Sequence, residues 1–238
     1  MKKTLLSAVI AIFGVQIFAA DITGTITFKG TPPAENSLTE MESMSDCISM
    51  HDTTPTTHFY VVNSTNGGFG DVVVYLKNVS AKSTGASAKP AVLDQVGCLY
   101  TPGIMAIQTG QTLTVKNSDP CNHNVHGISE ANGKETTIFN DQQPSGGAEL
   151  TYTFDKPEMF FKFECNIHPW MKAWVCIFDH PYFAVTDADG KFTIKNVPPG
   201  KYTIEANHRK LGAQSQEIEV KDSGATANFT FNAPAAAK

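Results

Sequence analysis

Three side chains that can bind a metal occur at every third position in FECNIHPWM, residues 163–171. Cys165, His168 and Met171 have the spacing C-x2-H-x2-M, so one thiolate, one imidazole and one thioether surround a single tight turn. Soft sulfur combined with imidazole favours copper, and electron-transfer copper sites use two histidines, one cysteine and a weak axial methionine. The motif therefore predicts a copper site that still needs one histidine.

The missing histidine is expected upstream, in NSDPCNHNVHG at residues 117–127. His123 follows a predicted strand at residues 111–116, and such a strand end can fold onto the loop that carries Cys165. His126 lies three residues further on, and because successive side chains of a strand alternate between its faces, it should point away from His123. We predict His123 as a ligand and interpret His126 as structural. The alternatives are zinc, which rarely binds thioether sulfur, or no metal.

Together the two segments resemble the cupredoxins, and among them the amicyanins, which share HNVH and a C-x2-H-P-x-M loop. The resemblance implies four copper ligands, which are His123, Cys165, His168 and Met171. It also implies that Asn124 ties the two ligand loops together and so influences the metal indirectly. The expected function is one-electron transfer, with unidentified redox partner proteins docking at the edge of His168.

The elements that position these residues are predicted to be short strands. Apolar runs rich in Val, Ile, Thr, Tyr and Phe alternate with polar residues and are separated by Gly, Pro, Asn and Asp. This pattern is typical of β-sandwiches and barrels, so the predicted fold class is all-β. The cupredoxin resemblance implies a Greek-key sandwich. Residues 37–50 have a pattern compatible with a short helix, and residues 94–99 are ambiguous.

A second resemblance lies in DGKFTIKNVPPGKYTI, residues 189–204. This segment resembles the regulatory-like domain of carboxypeptidases, a transthyretin-like β-sandwich. The opening strands of that family resemble ITGTITFKG and DVVVYLKNV, residues 22–30 and 71–79. We therefore predict one sandwich built from both ends of the chain, with the copper domain inserted between them. Two sandwiches in tandem behind an N-terminal extension are the alternative.

The domain boundaries follow from these segments. Residues 80–90 are small, polar and low in complexity, which is typical of a loose connection. The predicted parts are a signal peptide at 1–20, the first strands of the regulatory-like sandwich at 21–80, the cupredoxin domain at 91–181, the remainder of the regulatory-like sandwich at 182–232, and a flexible tail at 233–238.

Most of the chain, from about Asp21 to Phe231, also resembles a bacterial group of plastocyanin-like proteins of the methylamine-utilisation type. The matching segments include LDQVGCLYTP, GQTLTVKNSDP and HPYFAVTDADG. The chain departs from the group at Gly103, where the group has a histidine, and at residues 207–209. Neither departure affects the four predicted ligands.

The chain contains five cysteines, so at least one thiol remains if the others pair. We assign the free thiol to Cys165 and predict two disulfides, Cys47–Cys98 and Cys121–Cys176, although the connectivity cannot be read from sequence. Met41, Met44 and Met50 recur around Cys47 and form either one face of a short helix or a copper(I) docking patch. His180 and His208 are expected at the surface or in a linker.

The amino terminus has Lys2 and Lys3 before an apolar stretch too short to span a bilayer, which predicts an exported protein. We therefore expect a periplasmic or secreted protein with no membrane insertion after cleavage. A formal net charge of −5 with a single arginine argues against nucleic-acid binding. The leading function is a non-enzymatic electron carrier. Copper delivery or storage, and a binding module with structural copper, are the alternatives.

Overall fold

The computed structural model describes residues 19–234. The predicted signal peptide lies outside the described residues except for its last two positions, and so does most of the predicted tail. Within residues 19–234, no helix is long and apolar enough to cross a membrane.

Strands dominate the described chain, and one short α-helix, α1 (Ser45–Ile48), follows a 3-10 turn at Thr39–Ser43. Further 3-10 turns occur at Gly85–Ser87 and Ala131–Gly133. In chain order the strands are β1 (Ala20–Lys29), β2 (Val73–Lys77), β3 (Ala91–Gln95), β4 (Tyr100–Thr101), β5 (Ile104–Gln108), β6 (Leu113–Asn117), β7 (His123–Ser129), β8 (Thr136–Gln143), β9 (Leu150–Tyr152), β10 (Glu158–Glu164), β11 (Lys172–Phe178), β12 (Phe183–Val185), β13 (Lys191–Val197), β14 (Gly200–His208), β15 (Gly212–Val220), β16 (Ala225–Thr226) and β17 (Phe229–Asn232).

The first sandwich consists of two sheets from the middle of the chain. One has the order β4-β3-β6-β9 and the other β5-β11-β10-β7-β8. Their facing sides enclose a core that contains Leu93, Leu113, Val125, Phe161 and Phe163, all at most 2% exposed. This core supports the strand ends that carry Cys165 and His123.

The second sandwich combines strands from both ends of the chain. Strand β1 pairs with β13 and also, in parallel, with β16 and β17, while the opposite sheet has the order β12-β2-β14-β15. Its core contains Ile22, Ile26, Leu76, Ile194 and Ile204, which are fully buried. The predicted all-β fold, with a second sandwich built from both ends, is therefore confirmed.

Two strands have both faces buried because the two sandwiches pack against each other. On β2, Val74 and Leu76 enter the second core, whereas Val73 contacts the junction between the sandwiches. On β11, Val175 enters the first core, whereas Cys176 packs at the same junction. Burial on both faces explains why these strands are continuous apolar runs rather than alternating ones.

The segment between β1 and β2 contributes to the first sandwich as well as to the second. Met41 and Cys47 are fully buried in the first core, and Met44 and Met50 pack against it. Cys47 forms a disulfide with Cys98, which lies between β3 and β4. Met41, Met44 and Met50 are therefore the packed face of a short helical segment. This part of residues 21–80 covers the first sandwich and not the second.

The predicted disulfide between Cys121 and Cys176 is wrong, because both cysteines are free. Cys121 lies in the loop before β7, with its Sγ 3.7 Å from the Sγ of Cys98. Cys176 points from the opposite face of the sheet into the junction, where burial raises the pKa of its thiol to about 12. Alternation along β11 directs Cys176 into the junction, whereas Cys121 packs against the first core, so the two thiols are apart.

His208 is 2% exposed rather than at the surface, and His180 is likewise buried, so both sequence-based expectations are wrong. His208 ends β14 beside the rings of Tyr60 and Phe69, and its Nε2–H donates to the carbonyl of Phe59 over 3.0 Å. A histidine in such a place is stable only as the neutral imidazole, because its charged form would lose hydration. Burial accordingly lowers the pKa of His208 to about 4.

This burial predicts a specific acid sensitivity. Because the folded pKa is below the ordinary value of 6.5, the unfolded chain binds an extra proton between these values. The titration of His208 has no effect on the free energy of unfolding well above pH 6.5. As the pH falls towards 4, it lowers this free energy by about 3 kcal/mol at most, because the unfolded chain binds the proton more readily. The charges of Arg209 and Lys210 also disfavour imidazolium, whereas Glu35 favours it.

Urea unfolding of wild type and His208→Gln between pH 4 and pH 7.5 tests this expectation. The variant should lose less stability than wild type over that range, even if it is less stable at pH 7.5. Equal pH slopes for the two proteins would contradict the assignment.

Candidate metal centre

The hairpin between β10 and β11 places Cys165 next to Met171. Glu164 pairs with Lys172 across the two antiparallel strands, so the next residue inwards on each side is Cys165 or Met171. The backbone N–H of Cys165 donates to the carbonyl of Met171 over 3.4 Å, and that of Met171 to the carbonyl of His168 over 2.9 Å. These bonds close the loop tightly, and Cys165, His168 and Met171 are all buried.

Strand β7 brings the second histidine to this loop. It pairs with β10 so that Glu164 faces His126, which places the start of β7 beside the loop that follows Glu164. The Nδ1 atoms of His123 and His168 are 2.9 Å apart, and the Sγ of Cys165 lies 3.9 Å and 3.7 Å from them. One sulfur and two imidazole nitrogens therefore converge inside the protein.

Asn124 joins the two segments that supply these atoms. Its side-chain Oδ1 accepts a hydrogen bond from the backbone N–H of Asn166 over 2.6 Å. Its own backbone N–H points at the Sγ of Cys165 at 3.5 Å, and its Nδ2–H donates to the side chain of Asn140. This one residue thus holds the loop in register with β7 and contacts the sulfur.

Asp119 determines which nitrogen of His123 faces the cluster. Its Oδ2 lies 2.9 Å from the Nε2 of His123, and both side chains are at most 1% exposed. The backbone N–H groups of Gly97 and Cys98 donate to its two oxygens at 2.6 Å and 2.7 Å. A carboxylate held this way accepts the Nε2 proton, so Nδ1 of the neutral imidazole presents its lone pair to Cys165 and His168.

The electrostatics of the cluster favour a thiolate. Burial alone would raise the pKa of Cys165, but its polar contacts with the His123 and His168 side chains and with the backbone N–H of Asn124 lower it to about 6. Burial likewise opposes a charge on His123, yet Asp119 and Cys165 raise its pKa. The pKa of Asp119 is lowered despite burial because His123, Cys98 and Gly97 donate to it.

Aromatic residues surround the site on two sides. Phe163 is fully buried below it in the core, in contact with the rings of Tyr100 and Phe139. Trp170 lies above, with its ring centroid 5.3 Å from that of His168 and its indole N–H donating to the carbonyl of Cys98. The disulfide-bonded segment therefore supports the loop that carries His168.

The structure separates His126 from the cluster. Its imidazole bonds with Asn166 and Thr137 at the surface, which is a structural role. Sequence reasoning overlooked Asp119, although a carboxylate four residues before His123 in a Ser-Asp-Pro turn was a usable signal. Trp174, three residues beyond Met171, faces the junction with the second sandwich.

The donor set fits a soft transition metal. The atoms able to hold it are Nδ1 of His123, Nδ1 of His168 and Sγ of Cys165, with the buried Met171 adjacent across the hairpin. A thiolate with two imidazoles suits copper or zinc, and a neighbouring thioether shifts the preference to copper. A second group around Asp119 and Cys121 uses the other nitrogen of His123 and the disulfide-bonded Cys98, so it is not an independent site.

One protein family matches part of the chain. The model of the carboxypeptidase regulatory-like domain matches residues 169–232. This range includes β11 to β17, whereas β1 and β2, which complete the second sandwich, lie outside it. No curated protein matches the chain in sequence.

Solved structures of cupredoxins resemble part of the chain. A purple cupredoxin from Nitrosopumilus maritimus is 27% identical over 37% of this chain and 98% of its own, with a TM-score of 0.32. A copper-containing nitrite reductase from Thermus scotoductus SA-01 is 22% identical over 43% of this chain and 25% of its own, with a TM-score of 0.33. The Cu(I) form of an amicyanin variant is 17% identical over 45% of this chain and 98% of its own, also with a TM-score of 0.33. The two resemblances predicted from the sequence, to the cupredoxins and to the carboxypeptidase regulatory-like domain, are therefore confirmed.

The role of Asn124 leads to a stability prediction. Asn124→Ala should lower the free energy of unfolding of the metal-free protein by about 0.5–1.5 kcal/mol, because the part-buried hydrogen bond from the backbone N–H of Asn166 is lost. Chemical denaturation measures this loss directly.

Asn140→Ala is the matched control. It removes only the exposed partner of the Asn124 side chain and should cost clearly less. If both substitutions have the same effect, Asn124 does not hold the two segments together.

Proposed function

We propose that this chain is an exported type 1 copper protein that carries single electrons between partner proteins. The observation that supports it best is the convergence of one cysteine sulfur and two histidine Nδ1 atoms within 4 Å of one another in a buried site. Copper held there would alternate between its monovalent and divalent states.

The chain's own residues suit that task in several ways. Asp119 holds the proton on Nε2 of His123, which keeps Nδ1 free to bind a metal. Asn124 holds the ligand loop against β7. Because the donors are fixed by the surrounding sandwich, a change in the charge of the ion requires little rearrangement of the protein.

We propose an electron carrier rather than an enzyme because the protein can supply the whole donor set. Met171 is fully buried beside Cys165 and is proposed as the weak fourth ligand. A site with no position left for substrate suits electron transfer better than catalysis at the metal.

The proposed docking surface for redox partners lies over His168. His168 itself is only 4% exposed, but its loop neighbours Ile167 and Pro169 are exposed. A small apolar surface beside a metal ligand allows close approach of another protein. The donor and acceptor are proposed to be proteins of the same compartment.

We place this compartment in the periplasm or outside the cell. The Lys-led apolar stretch at the amino terminus has the composition of an export signal. The Cys47–Cys98 disulfide supports an oxidising environment, in which such bonds persist.

The first test of this proposal is spectroscopic. The copper(II)-loaded mature protein should have an intense visible thiolate-to-copper band, and Cys165→Ser should abolish it. Cys176→Ala is the matched control, since it removes a thiol on the opposite face of the sheet and should keep the band. A colourless loaded wild type, or a band that survives in Cys165→Ser, would overturn the assignment.

The second test separates a carrier from a delivery protein. Repeated additions of ascorbate and ferricyanide should bleach and restore the band without loss of copper, because the donors are buried and held in place. A copper(I) chelator should remove the ion slowly compared with these redox steps. Rapid loss of copper to the chelator would favour delivery or storage instead.

A further inference from the structure

A cleft lies between the two sandwiches, on the side of the molecule that carries the metal-binding hairpin. It has a volume of about 720 Å³ and is lined by both sandwiches and by the segment before β2. Binding sites for small molecules have volumes of roughly 300–1,000 Å³ and are common at domain junctions. The volume of this cleft and its location at a domain junction are therefore typical of a small-molecule binding site.

Aromatic residues dominate one wall. Trp170, Trp174 and Phe59 line the cleft, and the centroids of the Trp174 and Phe59 rings are 6.3 Å apart. Trp170 and Trp174 are the only tryptophans of the chain. A flat ligand could contact several of these rings at once.

The only arginine of the chain lies against this wall. The guanidinium carbon of Arg209 is 3.4 Å from the centroid of the Trp174 ring and 5.2 Å from that of Phe59. Arg209 is half-buried, and burial lowers its pKa while the charge of Glu130 opposes this shift. The cation is thus held by ring faces rather than by a carboxylate.

Arg209 has no ion-pair or side-chain hydrogen-bond partner among residues 19–234. Its five N–H donors are therefore uncommitted within the described protein and remain accessible to a ligand. Lys172 and Lys210 also line the cleft, against two carboxylates, Glu40 and Asp71. The cations exceed the anions, and Arg209 offers the planar fork that pairs with a carboxylate.

We propose that this cleft binds a small organic anion, an aromatic carboxylate whose oxygens pair with Arg209 and whose ring packs against the aromatic wall of the cleft beside Arg209. This inference does not depend on the copper function. It does place the ligand next to the metal centre, because Trp170 lines the cleft and also contacts His168.

The experiment uses phenylacetate as the probe and the neutral phenylacetamide as its isostere. Since both tryptophans line the cleft, tryptophan fluorescence of the ascorbate-reduced mature protein reports binding directly. Phenylacetate should produce a saturable change, and phenylacetamide should bind at least tenfold more weakly. Isothermal titration calorimetry provides an independent dissociation constant.

Substitutions at Arg209 identify the anion partner. Arg209→Gln should weaken phenylacetate binding at least tenfold, and Arg209→Lys should give an intermediate loss because a point charge replaces the bidentate fork. Lys201→Gln, on an exposed position of β14 outside the cleft, should bind like wild type. Thermal melts followed by circular dichroism show whether each variant is folded. If Arg209→Gln does not fold, the binding affinity of Arg209→Lys tests the proposal instead.

Three results would overturn the proposal. They are equal binding of phenylacetate and phenylacetamide, wild-type binding by the folded Arg209 variant, and the absence of any saturable signal up to roughly 10 mM probe, which corresponds to only millimolar affinity. None of these results bears on the visible band of the copper-loaded protein, so this proposal and the proposed electron-carrier function fail independently.

Discussion

The pairing of β7 with β10 is the constraint on which the rest of the structure depends. Because Glu164 faces His126, the loop after β10 lies against the start of β7, and Cys165 comes within 3.9 Å of an imidazole 42 residues away in sequence. A shift of one residue would turn every side chain of the strand to the other face and separate the sulfur from His123. The hydrogen bond from Asn166 to Asn124 stabilises this one register.

The packing of the two sandwiches explains how one domain can be inserted into another without a flexible junction. Strands β2 and β11 each supply side chains to a core and to the surface between the sandwiches, so the domains share a layer of apolar contacts. The segment with Met41 and Cys47 strengthens this arrangement, since it leaves the second sandwich and is bound to the first by a disulfide. The same junction creates the cleft beside Trp174 and Arg209.

Buried charge is handled differently at the two sites. At the metal centre, Asp119 and His123 form a fully buried pair whose remaining oxygen positions are satisfied by backbone N–H groups. In the cleft, Arg209 rests on aromatic rings and keeps its donors free. The first arrangement stabilises a fixed geometry, as a metal site requires, whereas the second leaves a cation available to a ligand.

The sequence by itself determined the strands, the two families of motif and the residues able to bind a metal, because each depends on local periodicity or short spacing. Motifs at both ends of the chain also predicted that Ile22 and Ile194 belong to one sandwich, but they left two sandwiches in tandem as the alternative until the strand pairing decided it. Only the tertiary structure decided that Asp119 orients His123, that Cys121 and Cys176 pack in different apolar clusters, and that His208 is buried. These features arise when distant strands pack, and the register and facing of such contacts leave no periodic signal in the chain.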